Sequence, residues 1–505
     1  MTRRPSLSGS IVVNGVNVVV VVGAALLAVP LLIDRLGIAA YGVWTLAQTV
    51  VIYVTTAELG FGPALARFVS VHVEHPHRPR QVLIAALGLY AAFGLAIAAL
   101  CQLLAAPLVD LFSVPARLHA DAVATVGIVG WVTLAALLAS ALGHVLTGLE
   151  RFRGFALTNA LGAIAWLLAL LVLLHRHARL QDVAYAALLQ WALVALLRLA
   201  SVQRLALGRG PRLPGRALLR DLVRFSMRLQ LGVLSTLVNT QTDRVVIGAV
   251  APAATLGQAG IATQVADAGR SLSFAAFHPM AARMAVTFGT EGRDALDALL
   301  RRQRRLWAIA TWGGIAVMAG AIRPAIGAWL PHVAGTGSYD KAALFAVLLT
   351  LGYGVGTLPG PTFAYLRARG NPMLESTFGA VTMVVNLTAT IAFGVLFGAI
   401  GVVGATTVAY VTSTAWVTRR ARRVLPAPVG APFPLLRVGV GSMLAAAATY
   451  GIGEALLAAL PRLLALVGVG LAAGAVLALY LVALTEVRPL ALARTGWTHV
   501  RQAVR

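Results

Sequence analysis

The chain has 505 residues, of which 59% are hydrophobic and only 11% charged, and its mean hydropathy is +0.84. No ordinary soluble domain has that composition, so the chain is expected to live in a membrane. Its formal net charge of +24 would suit nucleic acid, but the placement of the charges points elsewhere.

Fourteen apolar segments follow one another, each close to the roughly 20 residues an α-helix needs to cross the hydrocarbon core. Six make the first half, at 10–33, 43–62, 82–107, 122–149, 155–174 and 183–206. Six repeat the plan at 225–250, 256–287, 306–330, 342–365, 374–396 and 402–417, and two more close the chain at 438–460 and 463–483. Segment 402–417 is short and 256–287 is long and polar, which leaves the count uncertain by about one helix. Basic residues orient these segments. Roughly 30 of the 41 lie at the N-terminus, in the even-numbered connections or in the C-terminal tail. They include Arg3, Arg4, Arg78, Arg80, Arg151, Arg153, the run from Arg204 to Arg228, the run from Arg293 to Arg305, and the run from Arg419 to Arg437. The odd-numbered connections hold about seven, among them Arg35, Arg117, Arg323 and Lys341. The positive-inside rule then puts both termini and all even connections in the cytoplasm. That basic face is expected to sit against anionic lipid headgroups, and nucleic acid is not expected as a partner.

Several absences exclude mechanisms. Lys341 is the only lysine, so no Walker A phosphate loop exists and an ATP-driven pump would need a separate nucleotide-binding subunit. Cys101 is the only cysteine and lies within an apolar segment; it reads as a core filler, with no intrachain disulfide and no Cys-rich metal site. No cofactor and no metal are expected. His72, His75 and His77 with Glu74 sit in a basic connection that reads as a solvated loop. The first segment is too long for a signal-peptide core and lacks a small-residue cleavage site, so it is expected to remain as a helix.

The outer connections are short, the longest at 106–121 and 331–341, and give a glycosyltransferase or polymerase no room for a catalytic domain. The longest inner connection, 207–224, is basic and rich in Pro and Gly, and reads as a linker. The expected organisation is an all-α polytopic membrane protein: a six-helix lobe at 1–206, the linker at 207–224, a second six-helix lobe at 225–418, and two further helices with a basic tail at 419–505. Because six is even, both lobes would enter from the same side as a parallel pseudo-repeat. A faint echo agrees: Asp34-Arg35 then Leu36-Gly37 in one half, Asp243-Arg244 then Leu256-Gly257 in the other.

The chain resembles the Wzx-type flippases of lipid-linked oligosaccharides, polysaccharide biosynthesis and export proteins of the multidrug/oligosaccharidyl-lipid/polysaccharide exporter superfamily. The lipid II flippase MurJ and the MATE drug exporters are relatives in that superfamily. The residues that carry the resemblance are Arg35-Leu36-Gly37 with Tyr41-Gly42-Val43-Trp44, then Glu58-Leu59-Gly60-Phe61-Gly62 and Arg67. Gly148-Leu149-Glu150-Arg151-Phe152 and Gln241-Thr242-Asp243-Arg244 with Ile247-Gly248 agree. Glu58 departs conservatively from the aspartate usual there. The resemblance implies two lobes that alternate between inward-open and outward-open forms, and a polyprenyl-pyrophosphate-linked glycan as cargo. Glycosyltransferases or a polysaccharide polymerase are the protein partners it admits.

A pyrophosphate and a glycan cannot pass through hydrocarbon unaided, so ionisable and polar residues inside the segments are functional candidates. Arg220, Arg224 and Arg228 recur every four residues and share one helical face, where they suit either phosphate oxygens or an anionic-lipid anchor. Arg67 and Arg198 are further candidates for a headgroup entrance, although Arg198 could equally snorkel. Gln264, Asp267, Ser271, Phe274 and His278 share a face beside Arg270. Asp267 and Arg270 could neutralise each other as a structural pair, or line a cavity and titrate. Gln48 and Glu58, with Thr55, share a face of the second segment, Asn14 and Asn17 form an i, i+3 pair in the first that could simply bind helices together, and Asn239 lies in the seventh. His144 and His278 read as packing residues. The expected function is a non-enzymatic flippase in a bacterial inner membrane. The alternatives are a cation-coupled MATE-like exporter of small amphiphiles and, from another class, a membrane glycosyltransferase or ligase acting on a lipid-linked sugar.

Overall fold

A computed structural model of the protein describes residues 7–57, 62, 65, 66, 68, 69, 78–149, 151–203, 215–330, 338–425 and 434–485, and among these it contains helices and no strand. A backbone in hydrocarbon must satisfy its own hydrogen bonds, which is why the apolar segments are helical. The helices are α1 (Leu7–Leu36), α2 (Ile38–Ala57), α3 (Arg78–Asp110), α4 (Ala116–Gly148), α5 (Phe152–Arg176), α6 (Leu180–Gln203) and α7 (Arg216–Val250). They continue with α8 (Ala253–Trp329), α9 (Ser338–Thr357), α10 (Gly360–Ala368), α11 (Met373–Ala421), α12 (Leu435–Ala459) and α13 (Arg462–Leu484). Two of them are each broken at one glycine, Gly292 in α8 with φ 83° and Gly398 in α11 with φ 62°. A side chain would strain that left-handed backbone. The breaks fall between the segments expected at 256–287 and 306–330, and between those expected at 374–396 and 402–417. Together α9 and α10 cover the segment expected at 342–365, so each of the fourteen segments is represented by helix among the described residues. Among the described residues, ten helical stretches are long and apolar enough to cross a membrane.

The chain divides into two compact units. The first holds residues up to Leu237 with Ala251–Gly257, and the second holds Val238–Val250 and the residues from Gln258 onward. The expected linker at 207–224 is corrected in part. Helix α7 begins at Arg216 and runs unbroken to Val250, because Leu218, Leu222 and Ser226 recur at helical spacing. Leu218 and Leu222 pack with Leu65, Val69, Val82 and Leu146 in the core of the first unit. Residues 204–214 lie outside the described residues.

In the first unit α4 is central, packing on α2, α3 and α6, while α5 joins α1 to α6. Small residues let these helices approach. A Cβ at Gly130 of α4 would stand 2.8 Å from the Cα of Ala98 and 2.9 Å from the Cβ of Cys101 on α3. Cys101 is buried in that seam. The connection expected over 106–121 is much shorter, since α3 runs to Asp110 with Pro107 inside it and α4 starts at Ala116. In the second unit α11 packs on α9 and α10, and α12 pairs with α13. The last two helices are fastened to the limb of α8 beyond Gly292. Tyr480 joins Ile309, Ala316 and Val317 in one core, and its hydroxyl meets Ser442 Oγ at 3.1 Å. Arg323 reaches Asp340 at 3.1 Å, Glu454 at 2.9 Å and the Tyr450 hydroxyl at 3.0 Å, tying α8 to α9 and α12 at one end.

Candidate functional site: buried polar clusters within the two units

Arg198 lies on α6 in the first unit and is 2% exposed. Its guanidinium donates to the Ala139 carbonyl on α4 at 2.7 Å, and to Thr158 Oγ1 at 3.1 Å and Asn159 Oδ1 at 2.6 Å on α5. It also lies 4.6 Å from the centre of the Phe155 ring. Gly143 leaves room for it, since a Cβ there would stand 2.7 Å from Nη1. Arg198 is therefore neither at a headgroup entrance nor snorkelling. Two neighbouring helices supply the acceptors for three bonds from its planar fork, and every acceptor is neutral.

Two clusters occupy the second unit. In the first, the Asp243 carboxylate on α7 accepts from Thr406 Oγ1 at 2.5 Å and from Thr390 Oγ1 at 3.4 Å. Asn386 Oδ1 stands 3.2 Å from the Thr390 hydroxyl and 3.4 Å from that of Thr406, both from α11. Asn386, Thr390 and Thr406 are all buried. Four side chains thus bring one carboxylate, one carboxamide oxygen and two hydroxyls together across the two limbs of α11 and α7. Oxygen donors with a single carboxylate suit a proton or a small hard cation. Among the described residues no group of three or more His, Cys, Asp or Glu side chains is arranged to hold a metal ion.

In the second cluster, Arg270 Nη2 lies 2.9 Å from Asp267 Oδ1. The N–H does not point at that oxygen, which is buried and makes no aligned hydrogen bond, so the contact is an ion pair by distance alone. Arg270 is also stacked 4.9 Å over the Tyr353 ring. Tyr353 and Tyr410 meet edge to face at 5.7 Å. Asp267 remains 41% exposed at its side chain. The pair is therefore both mutually neutralising and open on one side.

Of the other candidates, Arg220 and Arg224 are exposed on α7, and Gln48 and Gln264 are half-buried on α2 and α8. Asn17 Oδ1 on α1 is buried with no hydrogen-bond partner among the described residues. His144 meets Ser140 Oγ at 3.3 Å. Glu58, Arg67 and the loop at 71–77 lie outside the described residues, as do the side chains of Asn14, Arg228, Asn239, Phe274 and His278. The Asp243 cluster was not foreseen. Its signal was available, because Thr382, Asn386 and Thr390 recur every fourth residue in an otherwise apolar stretch and so mark one face.

This is a polytopic α-helical membrane protein with ionisable groups held among the helices of each of its two units, Arg198 buried and Asp243, Asp267 and Arg270 partly buried, an arrangement proteins keep for moving polar solutes or ions. The chain belongs to the polysaccharide biosynthesis protein family, whose pattern matches residues 7–283. It shares its fold with a structure of the lipid II flippase MurJ in an inward closed conformation, at a TM-score of 0.71, 13% identity, and coverage of 93% of this chain and 98% of that one. An inward-facing multidrug resistance MATE family transporter of the MOP superfamily is similar at a TM-score of 0.65 and 14% identity, covering 82% of this chain and 98% of that one. A MATE structure in the bent conformation gives 0.52 at 15% identity, covering 83% of this chain and 97% of that one. No curated relative matches the sequence.

Proposed function

We propose that this protein is a flippase that carries a polyprenyl-pyrophosphate-linked oligosaccharide from the cytoplasmic to the outer leaflet of a bacterial inner membrane by alternating access. Membership of the polysaccharide biosynthesis family, together with the fold of MurJ, is the observation that carries the reading. The basic connections support an orientation with both termini cytoplasmic. The short connections leave no domain for glycosyl transfer, and the protein acts as a carrier and not as an enzyme. Within this reading the partly open Asp267–Arg270 pair contacts polar cargo, and Asp243 is the group through which a proton or cation gradient acts. Arg228 and Arg67 remain candidates for the pyrophosphate.

The test is reconstitution into liposomes with a fluorescent polyprenyl-pyrophosphate glycan, following its arrival in the opposite leaflet with and without an imposed pH or sodium gradient. Protein-dependent arrival that is lost in Arg228→Ala and slowed in Asp267→Asn is the expected result. The likeness to MATE transporters supports a second reading, export of small amphiphiles. Gradient-driven efflux of a cationic dye without movement of any lipid-linked glycan would establish that reading in place of the first.

A further inference from the structure

One end of the second unit gathers eight arginines from two helices. Arg301, Arg302, Arg304 and Arg305 follow the Gly292 break of α8, and Arg419, Arg420, Arg422 and Arg423 lie at or just past the end of α11. Leu300 of α8 and Leu425, just beyond α11, pack into one cluster with Met284 and Tyr365, which brings the two sets to one place. Arg304 and Arg422 are close enough there to repel each other. The nearby acids are fewer than the arginines. Glu375 holds both arms of Arg367, at 2.6 and 2.5 Å, and Asp297, one turn before Arg301, accepts the Tyr365 hydroxyl at 2.7 Å. Asp294 and Glu291 are exposed and stand about two turns or more before Arg301. Among the described residues none of the eight arginines is ion-paired with a carboxylate. Eight arginines outnumber the carboxylates around them, and that excess of like charge favours an anion between the two sets.

The surface next to the arginines indicates what that anion is attached to. Val408, Val411, Ala415, Arg419 and Arg422 of α11 are all exposed and follow a 3-4-4-3 spacing, so they form one strip along the helix. The strip is apolar along its membrane-spanning length and turns cationic at its end. An anionic phospholipid has the complementary order, acyl chains and then phosphate. A soluble phosphate would need the arginines but not the apolar strip.

We infer that the two arginine sets form a binding site for the headgroup of an anionic phospholipid, with its phosphate oxygens between Arg304 and Arg422 and its acyl chains along Val408, Val411 and Ala415. Arginine forks suit phosphate oxygens, and basic pockets between membrane helices are known as headgroup sites. The inference does not depend on the cargo proposed above.

Purified protein in detergent, titrated with dioctanoyl phosphatidylglycerol or dioctanoyl phosphatidylcholine and followed by thermophoresis, tests it. Wild type should bind the anionic lipid in preference to the zwitterionic one. Each arginine removed should weaken binding about fivefold, so Arg304→Gln with Arg422→Gln should weaken it about 30-fold. Arg151→Gln with Arg216→Gln removes the same charge from the first unit and should leave the affinity unchanged. If the glutamine pair lowers the melting temperature, Arg422→Gln alone should still show the fivefold loss, and Arg304→Lys with Arg422→Lys should retain most of the binding. Equal binding of the two lipids, or an unchanged affinity in the glutamine pair, would overturn the site. Complete displacement of the lipid by millimolar sodium phosphate would reassign the arginines to a soluble phosphoryl anion and overturn the lipid assignment.

Discussion

Arg198 permits a prediction whose sign depends on where its charge is balanced. Its three bonds run to neutral acceptors on α4 and α5, and among the described residues it has no ion pair with a carboxylate. Polar contacts inside membrane proteins are worth about 0.6 kcal/mol on average and up to about 1.7, so three of them contribute roughly 2–5 kcal/mol. Taking the guanidinium out of water costs several kcal/mol in the opposite direction. Arg198→Met removes both contributions and fills most of the volume, leaving Asn159 Oδ1 as the main group without its donor; the net loss should be about 1–2 kcal/mol. Arg198→Lys keeps the buried charge but cannot span three acceptors from one ammonium, and should lose about 3 kcal/mol or more. Thermal unfolding in detergent should therefore rank wild type above Arg198→Met, and Arg198→Met above Arg198→Lys. If lysine unfolds like wild type while methionine is severely destabilised, the charge has a partner other than these three acceptors and the reasoning fails.

Three further outcomes follow from the second unit and from the seam between α3 and α4. Thr406→Val removes the 2.5 Å bond to Asp243 and should cost about 1–3 kcal/mol in a detergent melt. Combined with Asp243→Asn it should cost less than the sum of the two, because both act on one network; strict additivity would separate them. Asp267→Asn should barely alter the melt, since a partly open ion pair is worth about 0–1 kcal/mol. It should nevertheless slow glycan flipping in liposomes, and wild-type flipping would remove Asp267 from the proposed mechanism. Gly130→Leu forces side-chain atoms against the Ala98 backbone, and overpacking of about 3 kcal/mol or more should show as lost yield of folded protein; normal yield would mean that α3 and α4 can move apart.

The helices were legible because hydrocarbon leaves the backbone few choices, and a run of apolar residues near the length of a bilayer crossing already states the answer. Boundaries were less legible. The Pro/Gly-rich stretch near 207–224 looked like a linker over its whole length, yet the spacing of Leu218, Leu222 and Ser226 had already resumed the helix. Buried polar groups were hardest to assign, since an arginine two turns from a helix end has the same sequence whether it snorkels or turns inward. What decides Arg198 is the presence of Gly143 and Phe155 on neighbouring helices, which no local pattern reveals. Asp243 read only as part of a repeat echo and a family motif for the same reason. Its hydroxyl and carboxamide neighbours come from residues more than 140 positions away in the chain.

The two carboxylates of the second unit differ in what completes them. Asp267 has a guanidinium beside it, and that guanidinium is stacked in turn on Tyr353, so the pair is already neutral and gains little from a further cation. Asp243 is held by the hydroxyls of Thr390 and Thr406, which also reach the Asn386 carboxamide, and among the described residues it forms no ion pair. Hydroxyls stabilise a carboxylate but do not neutralise it. A group in hydrocarbon with one negative charge and several uncharged oxygen neighbours gains most from a proton or a small cation. The proposed mechanism therefore assigns coupling to an ion gradient to Asp243, and contact with polar cargo to the half-open Asp267. Asp243→Asn should abolish the response of flipping to an imposed gradient while leaving a slow, gradient-independent leak. Asp267→Asn should instead lower the flipping rate and preserve its response to the gradient. The reverse pattern in the liposome assay would exchange the two roles.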